Sequence, residues 1–187
     1  MLVMGAVLLT AAAGEVAAAA LARDRARSAW DQLTARQAVE AAELAVAPNR
    51  SLVAVRKGAP MARLMIPRLR LDEVVVEGVG DTDLRAGPGH LPGSAMPGDS
   101  GNAVISAHRD RHFRSLGALA IGDTVVTETL AGSTRWIVSK RTIVRRGAPA
   151  LYSTAEPVLT LTTCWPIQAL GAAPERLLFE ARRIPGA

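Results

Sequence analysis

The stretch that decides the fold is VLTLTTCWP, at residues 158–166. It is rich in β-branched residues and leucine, and this pattern predicts a strand that ends at the only cysteine of the chain, Cys164. Side chains alternate along a strand, so Thr162 and Cys164 share one face, while Leu161 and Thr163 share the other. The sequence therefore predicts a thiol held on a rigid element.

Pro166 sets the end of this strand. It cannot donate a hydrogen bond to a sheet, and it biases Trp165 towards extended geometry. The strand is thus expected to stop just after Cys164. A lone cysteine is most often a small buried hydrophobic residue, so the rest of the chain must indicate whether this thiol is a nucleophile.

Length and composition favour one folded domain with an appendage. The chain has 187 residues, of which 49% are hydrophobic and 21% charged, and this balance disfavours disorder for most of it. The net charge is +5, but no arginine-rich run is interleaved with aromatic residues. A nucleic-acid partner is therefore not predicted, and the charge is equally compatible with anionic lipid or an acidic partner.

The appendage is the N-terminal region. Residues 1–22 are almost entirely apolar and long enough to cross a bilayer as a helix, although Glu15 and many alanines oppose insertion. A cleaved signal peptide is the alternative, but no basic segment precedes the apolar run. We interpret residues 1–22 as a transmembrane anchor, residues 23–47 as a juxtamembrane helical stalk that acts as a spacer, and residues 48–60 as a linker.

The remaining residues, 61–187, contain short β-type runs separated by Gly- and Pro-rich turns. Many short strands with few helices predict a closed or nearly closed barrel. Two helical turns are expected near residues 81–85 and 112–119. The predicted strands cover residues 62–66, 74–77, 103–107, 124–130, 135–144, 158–163 and 177–182.

The three histidines and the cysteine are of residue types that can bind a metal ion. His108 and His112 have helical i, i+4 spacing, but no glutamate lies between them in HRDRH, and no second cysteine offers CxxC spacing. Neither a metal nor another cofactor is predicted. Nucleophilic catalysis fits better, because a cysteine nucleophile needs a base and an oxyanion-stabilising cation. His108 and Arg176 each lie at a predicted strand end, as Cys164 does, and the three together indicate a catalytic site.

Four motifs then resemble one family, the sortases, which are cysteine transpeptidases of bacterial surfaces. They are TLTTC at residues 160–164, ISAHRD at 105–110, GPGHLPGSAMPGDSGN at 87–102, and Arg176 at the start of the last strand. The resemblance covers about residues 62–184, in the family's order. HRDRHF together with TTCWP is most similar to the class GN sortases of Gram-negative bacteria.

The resemblance implies a mainly β fold, an eight-stranded barrel with short helices, and a role for each matching residue. Cys164 would be the nucleophile, His108 the general acid/base, and Arg176 the stabiliser of substrate and oxyanion. Thr163 and His90 would contribute to substrate binding, with a structural hydrogen bond as the equal alternative for His90.

Two residues depart from the family pattern. Ala107 stands where glycine usually precedes the histidine, and Trp165 stands where tyrosine often follows the cysteine. Neither change removes a reacting group, so activity is still expected.

The resemblance also implies the reaction and its location. Cys164 would attack the Thr–Gly bond of an LPxTG-like C-terminal sorting signal on an exported protein, and an amine of open identity would resolve the thioester. The enzyme would be a single-pass protein of the bacterial inner (cytoplasmic) membrane with its catalytic domain on the extracytoplasmic side. The positive-inside rule predicts the opposite orientation, because Arg23, Arg25 and Arg27 would place that end of the anchor in the cytoplasm. We give the orientation implied by the resemblance precedence over that rule.

Two alternatives are also compatible with a cysteine and a histidine in an envelope protein. An L,D-transpeptidase acting on peptidoglycan also pairs cysteine with histidine, but TTCWP lacks the His and Gly of that family's SHGC-type motif. A non-catalytic β-barrel that binds an envelope partner would carry Cys164 as a buried, inert thiol.

Overall fold

The computed structural model describes residues 2–43, 56–148, 152, 154–169 and 171–184. Its helices are α1 (Leu2–Glu43) and α2 (Asp81–Ala86), with short 3-10 turns at Pro67–Leu69 and Leu116–Ala118. The strands are β1 (Pro60–Ile66), β2 (Leu71–Glu77), β3 (Gly89–His90), β4 (Asn102–Ser106), β5 (Thr124–Thr129), β6 (Gly132–Arg145), β7 (Val158–Trp165) and β8 (Glu175–Arg183). These strands close into a barrel with the order β1-β2-β3-β4-β7-β8-β6-β5.

The eight-stranded barrel confirms the predicted fold class. Each of the seven strands predicted from the sequence is present, and the predicted turn near residues 81–85 is α2. The eighth strand, β3, was not predicted, because its two residues are too short to give an alternating pattern. The predicted turn at 112–119 contains the 3-10 turn Leu116–Ala118.

The GPGH segment owes its glycines to close backbone packing. A Cβ atom on Gly87 would lie 2.2 Å from the carbonyl oxygen of Val74, and one on Gly89 would lie 2.0 Å from that of Gly78. No side chain fits at such distances, so glycine is required for this segment to run beside β2. The parallel pairing of Val76 with Gly89 depends on that approach.

The barrel interior fixes which face of β7 carries the thiol. Leu159 pairs with Ala181 on β8, and Leu161 pairs with Phe179; all four side chains are buried in one hydrophobic core. Because neighbouring residues of a strand point to opposite faces, Cys164 lies on the outer face of the barrel wall. The apolar core therefore supports the thiol from behind without enclosing it.

The N-terminal helix packs against the barrel. Trp30 of α1 is only 4% exposed and packs with Ala26 against Val74 and Val76 of β2. This differs from the expectation that residues 23–47 form only a spacer. The apolar stripe of the helix is thin, but a single tryptophan buries a large area and so suffices to seat it.

Polar contacts along α1 reinforce this packing. Arg23 donates from Nε and Nη2 to the Glu73 carboxylate, at 2.9 and 2.5 Å. Farther along the helix, Arg27 donates to the carbonyl oxygen of Asp72 at 2.5 Å. Gln37 donates to the carbonyl oxygen of Leu130 at 2.5 Å. The helix is thus attached to the barrel from Arg23 to Gln37.

Within the part of the chain that the structure describes, no helix is both long enough and apolar enough to span a membrane. Met1 and the side chains of residues 2–13 lie outside the description, as do residues 48–55 of the predicted linker. The predicted domain boundaries therefore stay predictions.

Glu73 is the centre of the contact between α1 and the barrel. Burial by itself would raise the pKa of Glu73, but hydrogen bonding and charge from His112 and Arg23 outweigh it and lower that pKa below its usual 4.5. A carboxyl group with a lowered pKa in the folded state stabilises the fold above its unfolded pKa. That stabilisation is lost as the pH falls through the folded pKa.

We therefore expect Glu73→Gln to lower the free energy of unfolding at neutral pH by about 1–3 kcal/mol, because Arg23 loses a charged hydrogen-bond partner. The variant should also lose less stability than the wild type on acidification from about pH 7 to about pH 3. Thermal unfolding followed by circular dichroism across that range measures both effects. Glu128→Gln, which removes an exposed carboxylate 3.8 Å from Arg63, is the matched control. Identical pH profiles for Glu73→Gln and the wild type would contradict the assignment.

Candidate active site

Cys164 and Arg176 face each other across two antiparallel strands. The register of β7 and β8 places them as direct partners, and both residues are half-buried. Directly opposite residues in such a pair have Cβ atoms about 5 Å apart on the same face of the sheet. The guanidinium group is thus held next to the space in front of the thiol.

His108 reaches the same place from the other side of β7. Strand β4 runs parallel to β7, and their last registered pair is Ser106 with Thr162. The pairing continues one step further, because the amide of Ala107 donates to the carbonyl oxygen of Thr162 at 3.2 Å. His108 and Cys164 each lie two residues beyond the last registered pair, so the two strands deliver them to the same end of the barrel.

Three neighbouring strands, β4, β7 and β8, therefore bring together the three residues that the sequence singled out. Their catalytic roles stay a prediction, while their common location is a property of the strand register. The ends of these strands thus carry a thiol, an imidazole and a guanidinium. These are the groups that covalent acyl transfer by a cysteine nucleophile requires.

Thr163 has a different position from the one expected of a substrate-binding residue. Its side chain is 0% exposed, and its hydroxyl donates to the carbonyl oxygen of Ala107 at 2.7 Å. The residue faces the barrel interior and ties β7 to the backbone immediately before His108. It thus positions the two strand ends relative to each other instead of contacting a substrate.

His90 is also an internal residue. Its side chain is 4% exposed, with Nδ1 lying 2.7 Å from the Glu77 carboxylate. Its Nε2 lies 2.8 Å from the Ser94 hydroxyl and 2.9 Å from the carbonyl oxygen of Ala95. Both ring nitrogens are engaged inside the protein, and this geometry favours the structural alternative over direct substrate binding.

Arg109 is a residue that sequence reasoning missed. Its guanidinium donates from Nη1 to the carbonyl oxygen of Pro166 at 2.7 Å and from Nη2 to that of Gly171 at 2.5 Å. It thereby joins the segment that carries His108 to the connection between β7 and β8. An arginine that bridges two backbone carbonyls gives no periodic or spacing signal, so the sequence alone could not have identified it.

Trp165, the departure from the usual tyrosine, packs the end of β7. The Arg141 guanidinium lies over its ring at 5.2 Å from the centroid and over that of Phe179 at 6.0 Å. Such cation–π contacts stabilise both groups. The bulky aromatic side chain next to the thiol therefore serves to anchor the strand end.

Among the described residues, no group of three or more His, Cys, Asp and Glu side chains could hold a metal ion. The prediction that no metal is required stays untested by this geometry.

Comparison with known proteins identifies the family. The sequence profile of the sortase domain matches residues 64–184, which is more than half of the chain. The chain belongs to the sortase family. Sortase D of Bacillus subtilis (strain 168) is 31% identical over 140 residues, a match that covers 74% of this chain and 71% of that protein. Family membership makes the chain a sortase-type transpeptidase.

Solved sortases have the same fold. A sortase D5 transpeptidase of Clostridium perfringens superimposes with a TM-score of 0.68 at 19% identity, covering 90% of this chain and 99% of the other. Sortase C1 of Streptococcus suis gives a TM-score of 0.63 at 26% identity, covering 68% and 74% of the two chains. The assignment to class GN stays a prediction, because these comparisons establish the family and not the class.

Removing the bridge made by Arg109 should weaken catalysis without removing a reacting group. We expect Arg109→Gln to lower the transpeptidation rate constant by about tenfold or more, because small misplacements of catalytic groups are costly. Arg109→Lys can restore one of the two carbonyl contacts and should recover part of the rate.

The positioning role has a second readout. Amide hydrogen exchange at residues 167–169 and at Gly171 should accelerate in Arg109→Gln but not in Arg135→Gln, which removes an exposed arginine of β6. Unchanged exchange and unchanged turnover in Arg109→Gln would show that the bridge has no positioning function.

Proposed function

We propose that this sortase is a membrane-anchored cysteine transpeptidase that cleaves an LPxTG-like sorting signal between Thr and Gly. A thioester forms on Cys164, and the acyl group passes to an amine. The observation that carries this proposal is the convergence of Cys164, Arg176 and the segment bearing His108 at the ends of three adjacent strands.

The first half of the reaction forms the thioester. The Cys164 thiolate attacks the carbonyl carbon of the scissile Thr–Gly bond, which gives a tetrahedral intermediate with a negatively charged oxygen. Arg176, the cross-strand partner of Cys164, donates hydrogen bonds to that oxygen. His108 protonates the leaving glycine nitrogen as the carbon–nitrogen bond breaks.

The second half transfers the acyl group. An amine attacks the thioester carbonyl, His108 accepts the amine proton, and the Cys164 thiolate leaves. A thioester retains enough acyl-transfer energy to react with an amine, whereas the ester formed by a serine would be a poorer donor. The choice of cysteine as the nucleophile therefore suits transfer to an amine better than hydrolysis.

A cavity on the same outer face supports a peptide substrate. Its volume is about 790 Å³, and it lies at the far end of β7 from the thiol. Among its lining residues are Tyr152, Glu156, Val158, Glu180 and Arg182. Val158 pairs with Arg182 and lies on the same face as Cys164, and the six residue steps from Val158 to Cys164 span roughly 20 Å at about 3.3 Å per residue. That distance suits an extended peptide of about six residues.

Tyr152 adds a polar group to this cavity. Burial, reinforced by the neighbouring Glu180, raises the pKa of the Tyr152 phenol above its usual 10.0. The hydroxyl therefore stays protonated at neutral pH and donates to the Glu180 carboxylate at the wall of the cavity.

The location of the enzyme is part of the same proposal. Sorting signals belong to exported proteins, so we place the barrel on the extracytoplasmic side of the bacterial inner membrane, with residues 1–22 as the anchor. The apolar composition of that segment supports this placement.

Incubation of the purified full-length protein with an LPxTG-type peptide tests the chemistry. We expect intact-mass spectrometry to show an acyl adduct on the wild type and none on Cys164→Ala. Arg176→Ala should slow adduct formation by about 10²–10³-fold, because it removes the oxyanion donor. Arg135→Ala, on the exposed part of β6, is the matched control and should acylate normally.

Two other results would each reject part of this proposal. A folded protein whose thiol reacts with iodoacetamide but forms no adduct with several such peptides has a different acyl donor. An unreactive thiol, together with no adduct, would support the non-catalytic binding barrel instead.

Membrane fractionation tests the proposed location. We expect the full-length protein in the membrane fraction of its host. Added protease should digest its catalytic domain once the outer membrane or cell wall has been permeabilised. Deletion of residues 1–22 should release it. Recovery of the full-length protein in the cytosolic fraction would rule out the anchor.

A further inference from the structure

A second cavity lies between α1 and the barrel, away from the peptide cavity described above. Its volume is about 800 Å³, and it is bounded by α1, by the start of β2 and by the segment that follows His108. Six arginines line it: Arg23, Arg27, Arg70, Arg85, Arg111 and Arg114. Such a concentration of guanidinium groups is the feature that requires explanation.

The carboxylates in the cavity do not balance these charges. Three acidic residues line it, Asp72, Glu73 and Asp110, against the six arginines. Asp72 is paired with Arg63, which lies outside the lining and donates to it from Nε and Nη2 at 2.7 and 2.6 Å. Glu73 is paired with Arg23 at 2.5 Å. The cavity is therefore positively charged.

Four of the six arginines form no ion pair with a described residue. None of the ion pairs within 4.0 Å in the described part of the chain involves Arg27, Arg70, Arg111 or Arg114, and Arg27 donates only to a backbone carbonyl oxygen. The Nη1 atom of Arg111 is buried and has no hydrogen-bond partner among the described residues. A buried donor without a partner is destabilising, and more so when the group is charged.

His112 adds a second unsatisfied atom to the same cavity. Its side chain is 6% exposed, and its Nδ1 lies 3.5 Å from the Glu73 carboxylate. Its Nε2 is buried and, among the described residues, also without a partner. The cavity thus presents buried nitrogen atoms from two adjacent side chains, Arg111 and His112, together with exposed guanidinium groups at its rim.

We propose that this cavity binds a phosphate group. The planar guanidinium fork matches phosphate oxygens bidentately, and Arg111 has a free donor in place for such a contact. His112 lies beside it with an unpartnered Nε2, which donates to the same anion in the tautomer that carries the proton there. The site is separate from the transpeptidase chemistry, and the proposal does not depend on the proposed function.

The lining indicates two sources for that phosphate. Val16, Ala19 and Ala20 of α1 give one wall an apolar character, which suits a phospholipid headgroup with the start of its acyl chains. Inorganic phosphate or a soluble phosphate ester would use only the arginines and His112. The shared chemistry is a phosphate held between α1 and the segment that follows His108.

Titration of the full-length protein with inorganic phosphate at low ionic strength is the first experiment. Isothermal titration calorimetry compares the affinity of the protein for phosphate with its affinity for chloride, which serves as the nonspecific anion. Arg111→Gln should weaken phosphate binding by about tenfold, because a charged hydrogen bond is lost. Arg114→Gln removes an exposed rim residue, so it tests the site without disturbing the core. Arg25→Gln removes an exposed arginine of α1 that does not line the cavity, and it should leave phosphate binding unchanged.

Flotation with phosphatidylcholine vesicles, with and without phosphatidylglycerol, separates the two sources. If the ligand is a lipid headgroup, phosphatidylglycerol should increase binding, and Arg111→Gln and Arg114→Gln should reduce that increase more than Arg25→Gln does. Phosphate binding without this lipid effect would identify a soluble phosphate as the ligand. If phosphate and chloride act alike, and the three variants bind phosphatidylglycerol vesicles equally, the proposal is overturned.

Discussion

The pairing of β7 with its two neighbours is the constraint on which the rest of the site depends. Strand β7 pairs in parallel with β4 and antiparallel with β8, and its last residues therefore lie between the end of β4 and the start of β8. The bond from Thr163 to the carbonyl oxygen of Ala107 holds the β4 side of this arrangement. A slip of β7 by one residue would turn Cys164 into the core and separate it from Arg176.

Most of the fold could be predicted because it depends on local patterns. Alternating β-branched residues and Gly- and Pro-rich turns marked seven of the eight strands, and the position of Cys164 before Pro166 marked a strand end correctly. Strand β3 was not predicted, because its two residues are held by backbone packing at Gly87 and Gly89. Such packing leaves no hydrophobic period in the sequence.

The site was only partly predictable for a related reason. The three residues predicted to be catalytic lie at strand ends, and a strand end is visible in the sequence. The residues that hold those ends act through contacts between distant parts of the chain, such as the bond from Arg109 to Gly171 and the pairing of His90 with Glu77. Seating α1 against the barrel likewise depends on Trp30 and on Glu73, whose surroundings cannot be read from either segment alone.

The placement of the thiol on the outer face of a closed barrel has a consequence for how such an enzyme can diversify. Along β7, the residues that fill the core, such as Leu159 and Leu161, alternate with residues such as Val158 and Cys164 on the opposite face. Core packing and the thiol therefore occupy alternate positions of one strand. Thr160 and Thr162, which lie between Val158 and Cys164 on that opposite face, are themselves buried, so variation that spares the packing of β7 is confined to the ends of that face.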